Sequence, residues 1–221
     1  MKILYVIPAR GGSKGIPHKN IKLLNGKPLI YYTIDVARQL TTDEHICVST
    51  DDDEIINVVE NYGLKVPFKR PSHLATDTAT TNDVLLHAIN FYEARGDFYD
   101  VVVLLQPTSP LRNPTHVKEA IDLYTNDIDM VVSVKESHAA SVICSENEKG
   151  FLELCINKSA KRRQDVLPFY EYNGAIYVIN VTRLKKKGIS GFTLNRKYLM
   201  DQFCSYDIDT PLDWLIVESI I

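Results

Sequence analysis

The sequence predicts an α/β protein with a mostly parallel central sheet. Short β-branched runs alternate with segments of helical period over the first two-thirds of the chain. One run, Val101-Val102-Val103-Leu104-Leu105, is apolar without interruption, as a strand buried on both faces must be. With 221 residues and 45% hydrophobic content, the chain has material for one sizeable core rather than two large domains.

The elements follow in order. Ile3 to Ile7 reads as the first strand. Pro28 fits the first turn of a helix running to Leu40, where Leu29, Ile30, Thr33, Ile34, Ala37 and Leu40 recur on one face. Ile46 to Ser49 is a strand, Asp53 to Tyr62 a helix, and Val66 to Phe68 a short extended run. A helix from Thr81 to Ala94 is capped by the cluster Thr80-Thr81-Asn82-Asp83, and the buried strand Val101 to Leu105 follows. A helix from Pro114 ends before Asp127, and Met130 to Val134 is the next strand, so Val101 to Val134 has the form of a βαβ crossover. Lys135 to Arg163 is polar and carries two weak strands, Val142 to Cys144 and Phe151 to Leu154, joined as a hairpin by Glu146 to Gly150. A core strand returns at Gly174 to Ile179, and Pro211 to Ile221 closes the chain as a helix. Residues 1–134 and 173–221 therefore read as the core and 135–172 as an inserted arm. An isolated hairpin buries little surface, so the arm either lies on its own domain or pairs with a second copy.

A formal net charge of -3 gives no general attraction to nucleic acid or to an anionic membrane. The N-terminal apolar run is interrupted by Pro8 and Arg10 too soon for a signal peptide or a transmembrane span, which makes the cytoplasm the expected location. Cys47, Cys144, Cys155 and Cys204 are widely spaced and read as reduced, structural thiols. The six histidines show no zinc-ligand spacing.

The chemistry concentrates past strand ends. After the first strand comes Ala9-Arg10-Gly11-Gly12-Ser13-Lys14-Gly15, followed by Lys19-Asn20: three glycines turn backbone N–H groups toward one point, while Arg10, Lys14 and Lys19 bring cations to it. The spacing matches neither a Walker A loop nor a dinucleotide fingerprint, and the loop suits a triphosphate. A solvated strand-to-helix turn is the other account of the same residues. Gln106-Pro107-Thr108-Ser109-Pro110-Leu111-Arg112 follows the buried strand; Gln106 is a ligand candidate, whereas Arg112 serves the carbonyls of its own turn. Asp207 and Asp209 share a face of an extended segment and suit a hard cation such as Mg²⁺, although Asp209 or Thr210 also fits as the cap of the last helix. Asp51-Asp52-Asp53-Glu54 reads as helix N-terminal charge, with a glycosyltransferase metal site at Asp51 and Asp53 as the rival account.

Taken with Gly26-Lys27-Pro28-Leu29, Ser49-Thr50-Asp51, Arg70-Pro71, Leu74-Ala75, Asp77-Thr78-Ala79, Asn173-Gly174-Ala175-Ile176-Tyr177 and Asp207-Ile208-Asp209-Thr210, these runs resemble, in order and over nearly the whole chain, the CMP-N-acylneuraminate synthetases. The resemblance implies a Rossmann-like, three-layer fold of nucleotide-diphospho-sugar transferase type. It also implies a cytidylyltransferase that joins CTP to a nine-carbon 2-keto sugar acid and releases pyrophosphate. It places Ala9, Arg10, Ser13, Lys14 and Lys19 on the triphosphate, with Arg10, Lys19 and Asp209 in catalysis. Asn20, Arg70, Ala79 and Thr81 would read the cytosine, Gln106, Arg163, Tyr177 and Phe192 would hold the sugar acid, and Asp207 and Asp209 would bind Mg²⁺. It further implies a homodimer formed through the arm. Glu171 departs from the basic residue expected two positions before Asn173, and the arm has no evident substrate-facing lysine. Both departures lie on the sugar side, which leaves legionaminic, pseudaminic and eight-carbon keto-sugar acids as alternatives.

Overall fold

The computed structural model describes residues 1–13, 15–137, 142–154 and 168–221. Its central sheet contains β1 (Ile3–Pro8), β4 (Ile46–Ser49), β5 (Val101–Leu105), β6 (Met130–Ser137), β9 (Phe169–Asn180) and β10 (Asn195–Leu199), in the spatial order β10-β6-β9-β5-β1-β4. Two small hairpins complete the strands: β2 (Leu23–Leu24) with β3 (Lys27–Pro28), and β7 (Cys144–Glu146) with β8 (Leu152–Leu154). β1 pairs in parallel with both β4 and β5, and β10 with β6; β9 is antiparallel to its two neighbours.

Alternation along the strands sorts the core into two layers. Tyr5, Ile7, Val48, Val103 and Val178 face α1 (Leu29–Arg38), α2 (Asp53–Asn61) and α4 (Pro114–Asp122), whose Ile30, Ile34, Ile55, Val59, Val117 and Ala120 fill that side. Leu4, Val6, Cys47, Val102, Leu104 and Ile179 face α3 (Thr81–Glu93) and α5 (Val181–Lys187), through Leu85, Ala88, Ile89 and Leu184. Each such fully buried aliphatic side chain contributes about 2 kcal/mol of transfer free energy. A smaller cluster joins Ile16, Leu24, Leu29 and Ile208 to Trp214 and Val217 of α6 (Pro211–Ile220). The result is the expected three-layer α/β architecture.

Helix starts follow local chemistry. Asp52 accepts from the N–H groups of Glu54 and Ile55 at the head of α2, and Thr80, Asn113 and Thr210 each form reciprocal capping boxes for α3, α4 and α6. Pro28 stands at the N-cap of α1 rather than inside its first turn, because it also pairs with Leu23 in the small hairpin.

Three features differ from the sequence expectation. β5 and β6 run parallel but are not adjacent, since β9 enters between them and pairs with both; the crossover therefore spans one inserted strand. α5 and β10 were not expected: α5 carries three consecutive lysines and β10 is a charged edge strand with only Tyr198 buried, so neither shows a strong apolar period. Finally, the β6–β9 ladder continues beyond Val134, with Lys135 opposite Glu171 and Ser137 opposite Phe169, so the core ladder supplies the base of the arm. Beyond it the β7–β8 hairpin leaves Val142, Phe151 and Leu152 exposed. Among the described residues no helix is long and apolar enough to cross a membrane, and Cys47, Cys144 and Cys204 are free thiols.

Candidate active site

A cleft opens past the carboxyl ends of the parallel strands, the place where α/β sheets present ligands. The loop after β1 forms one wall. The Ala9 N–H donates to the Ser49 carbonyl at 2.9 Å, which holds the root of the loop on the sheet. The Asn20 amide donates to the Arg10 carbonyl at 3.1 Å, and His18, at φ 51°, turns the chain into the 3-10 turn Lys19–Ile21. Two glycines are required by close approach. A Cβ on Gly11 would lie 2.2 Å from Asp52 Oδ2, and one on Gly15 would lie 2.2 Å from the Asp209 carbonyl oxygen. The loop is thus pressed against the head of α2 on one side and the segment leading to α6 on the other.

The facing wall is built around Arg70. Thr50 and Lys69 extend the sheet edge by an isolated parallel bridge, and the Arg70 N–H donates to the Thr50 carbonyl at 2.7 Å. The Arg70 guanidinium is 4% exposed, with Asp51 Oδ1 3.6 Å from Nη2. Its Nε and Nη2 are buried and meet no hydrogen-bond acceptor among the described residues. Burial pulls its pKa down against the opposing field of Asp51. A buried donor pair without an acceptor is costly, and a ligand with two adjacent acceptors relieves that cost. Across the cleft Arg10 Nη1 donates to Asp77 Oδ1 at 2.9 Å.

The acidic pair does not line this cleft but stands beside it, each carboxylate bonded to a lining residue, Asp207 to Thr108 and Asp209 to Lys19. Asp207 accepts from the Ser109 hydroxyl at 3.3 Å and from the Thr108 hydroxyl, and burial raises its pKa above the usual carboxylate range. Asp209 is exposed, with Oδ1 3.2 Å from Lys19 Nζ, which also donates to the Ile208 carbonyl at 2.6 Å. The donor set of the pair is oxygen-only, and Asp207 is a buried carboxylate held by hydroxyls rather than by a direct cationic partner. That suits a hard divalent cation. Arg112 serves the framework as expected: Nη1 donates to the Gln106 and Ala175 carbonyls and Nη2 to Thr33 Oγ1, and burial lowers its pKa to about 9.

Of the residues singled out in the sequence, Arg10, Ser13, Lys19, Asn20, Arg70, Ala79, Thr81 and Gln106 line one cleft. Ala9 is fully buried with its N–H spent on Ser49, so it seats the loop and does not line the cleft. Tyr177 lies on β9 with its ring 6.4 Å from that of Tyr172, and Asp207 contributes to raising its pKa after burial. Phe192 packs into the core layer against α3 and α5 rather than into this cleft lining, because the 3-10 turn Ile189–Gly191 folds it under the sheet. Lys14 and Arg163 lie outside the described residues. Thr76 and Pro107 line the cleft without having been singled out, although Pro107 stands in the turn after β5; Asp51 lies behind the lining, beside Arg70. Asp53 is engaged by Lys69 at 2.7 Å, so Asp51 and Asp53 serve different partners and not a common cation. His116, Asp201 and Cys204 form a second cluster elsewhere, but Asn113 and the Cys204 N–H already engage the imidazole and the carboxylate as helix and turn caps.

A mostly parallel sheet covered on both faces, with a glycine-rich cationic loop at its strand ends and an acidic pair beside it, defines a nucleotidyltransferase of the α/β class. The chain belongs to the cytidylyltransferase family, whose model matches residues 4–218. It is 34% identical to the CMP-N,N'-diacetyllegionaminic acid synthase of Legionella pneumophila, over 100% of this chain and 97% of that protein. It is 39% identical to the N-acylneuraminate cytidylyltransferase of Streptococcus agalactiae over 98% of this chain, and spans 52% of that longer protein. In fold it is similar to a CMP:2-keto-3-deoxy-manno-octonic acid synthetase solved with CTP, at a TM-score of 0.74 and 19% identity, covering 100% of this chain and 98% of the other.

Proposed function

We propose that this protein activates a nine-carbon 2-keto sugar acid of the N-acylneuraminate type with CTP, giving the CMP-sugar and pyrophosphate. The observation that carries the reading is the convergence, in one cleft, of the loop after β1 with the unfilled donor edge of Arg70. Cytosine presents adjacent ring-nitrogen and carbonyl acceptors to such an edge, and the loop N–H groups with Arg10 and Lys19 suit the phosphates.

The anomeric hydroxyl attacks the α-phosphorus in line with the departing pyrophosphate. Arg10 and Lys19 offset the charge that develops on the leaving group. Gln106, at the end of β5, orients the acid, with Arg163 pairing its carboxylate. Asp207 and Asp209 would hold Mg²⁺, which when bound would lower the pKa of the attacking hydroxyl and offset phosphate charge. The exposed apolar side chains of the β7–β8 hairpin support a homodimer through the arm.

The Legionella relative, matched over almost its full length, favours N,N'-diacetyllegionaminic acid as a second candidate substrate. Pyrophosphate release from CTP and Mg²⁺ with N-acetylneuraminic, legionaminic, pseudaminic and 3-deoxy-octulosonic acids separates these. Release with one nine-carbon acid is the expected result; silence with all four overturns the reading.

A further inference from the structure

Arg70 and the tip of the loop after β1 share a single carboxylate oxygen. Asp51 Oδ1 accepts from the Gly11 N–H at 3.2 Å and stands 3.6 Å from Arg70 Nη2. The backbone fixes this arrangement from both sides. Asp51 and Arg70 each follow a member of the bridge between Thr50 and Lys69, so they project at the same level beyond the sheet. Gly11 is seated so closely on the neighbouring Asp52 that it has no room for a Cβ. Asp51 does not line the cleft; it stands beside Arg70, which does, and holds Gly11, the neighbour of the lining residue Arg10.

We propose that Asp51 is a positioning residue that couples recognition of the nucleotide base to the seating of the phosphate loop. This rests on the cytidylyltransferase reading of the cleft. The unpaired edge of Arg70 consists of Nε and Nη2, two parallel donors that are buried at the cleft wall without a hydrogen-bond acceptor. That edge matches the adjacent acceptors O2 and N3 of cytosine, whereas uracil carries a hydrogen on N3 and opposes one of the two donors. Discrimination between them depends on how firmly the guanidinium is aimed. Asp51 supplies the negative charge beside it, and because the same oxygen holds Gly11, a displaced loop disturbs the aim of Arg70.

Two substitutions separate the functions of that oxygen. Asp51→Asn retains an acceptor for the Gly11 N–H and removes the charge beside Arg70; Asp51→Ala removes both. Dissociation constants for CTP and UTP are measured for each chain by calorimetry, with kcat/KM for both nucleotides and melting temperatures alongside. Asp51→Asn is expected to reduce the CTP-to-UTP preference about tenfold, the size of one lost charge-assisted contact. Asp51→Ala is expected to weaken both nucleotides in addition. A merely structural role lowers the melting temperature and weakens both nucleotides alike, so an unchanged CTP-to-UTP ratio in Asp51→Asn overturns the proposal. Should Asp51→Ala not fold, the Asp51→Asn comparison stands alone. A wild-type chain that prefers CTP yet releases no pyrophosphate overturns the transferase reading and leaves the role of Asp51 intact; a wild-type chain with no base preference overturns both.

Discussion

Lys19 Nζ lies 3.2 Å from Asp209 Oδ1, an ion pair that links the first loop of the chain to the segment entering its last helix. The two partners are unequally placed, because Lys19 is also fixed by the Ile208 carbonyl and is 10% exposed, whereas the Asp209 carboxylate is 74% exposed. The ammonium is therefore held without the carboxylate, which is free to turn toward a cation. Asp209→Asn is expected to lower kcat by about a hundredfold, the size of one lost transition-state electrostatic contact, with Lys19 still seated. Near-normal turnover at saturating Mg²⁺ would remove Asp209 from the metal site.

Asp207 behaves in the opposite way. Burial raises its pKa, so the folded chain holds this proton more tightly than the unfolded chain does. The stability it contributes is present below the ordinary carboxylate pKa and is lost as pH rises through the raised value. Asp207→Asn keeps an acceptor for the Ser109 and Thr108 hydroxyls while removing the charge. It is expected to melt at or above the wild-type temperature at about pH 7 without ligands, and to lose about a hundredfold in turnover. Melting curves in the two chains decide the point; a clear drop in the variant contradicts the assignment.

Gly15→Ala places a methyl group against a backbone carbonyl that has no flexible way to yield. The loop must shift, and about a tenfold rise in KM for CTP is expected, with the melting temperature little changed. Gly12→Ala meets open space and provides the comparison, with a smaller effect on KM. Equal effects from both would mean that the contact with Asp209 does not set the position of the loop.

Far from the cleft, Asp129 is fully buried and accepts from Arg183, Lys187 and the N–H groups of Thr193 and Leu194. Burial pushes its pKa up, but these four donors outweigh it and hold the carboxyl well below the usual range. Its contribution is present above the ordinary carboxylate pKa and is lost as pH falls through the depressed value. Asp129→Ala should cost about 3 kcal/mol near neutrality and flatten the acid limb of the stability profile, as read by urea denaturation at several pH values.

Much of this molecule was legible in the sequence because its strong signals are local. The apolar strand Val101–Leu105, the capping run at Thr80 to Asp83 and the loop from Arg10 to Asn20 each announce themselves within a few residues. What was hidden depends on pairings between distant residues. β10 is recognisable as a strand only beside β6, and the role of Asp51 only beside Arg70 and Gly11, because a run of four acids at a helix start has a complete explanation in the helix itself. Phe192 was assigned by resemblance to a substrate wall, and tertiary packing turned it into core.

The insertion of β9 between β5 and β6 also sets an order of events during synthesis. Until residues 169–180 have been made, the β4-β1-β5 part of the sheet ends on the open edge of β5, and β6 has no partner at all, because both of its neighbours, β9 and β10, come later in the chain. That open edge exposes the most apolar strand of the protein for the time needed to translate the arm. A nascent chain stopped before residue 169 should accordingly bind chaperones or aggregate, while one extended past residue 180 can join β6 to β5 through β9.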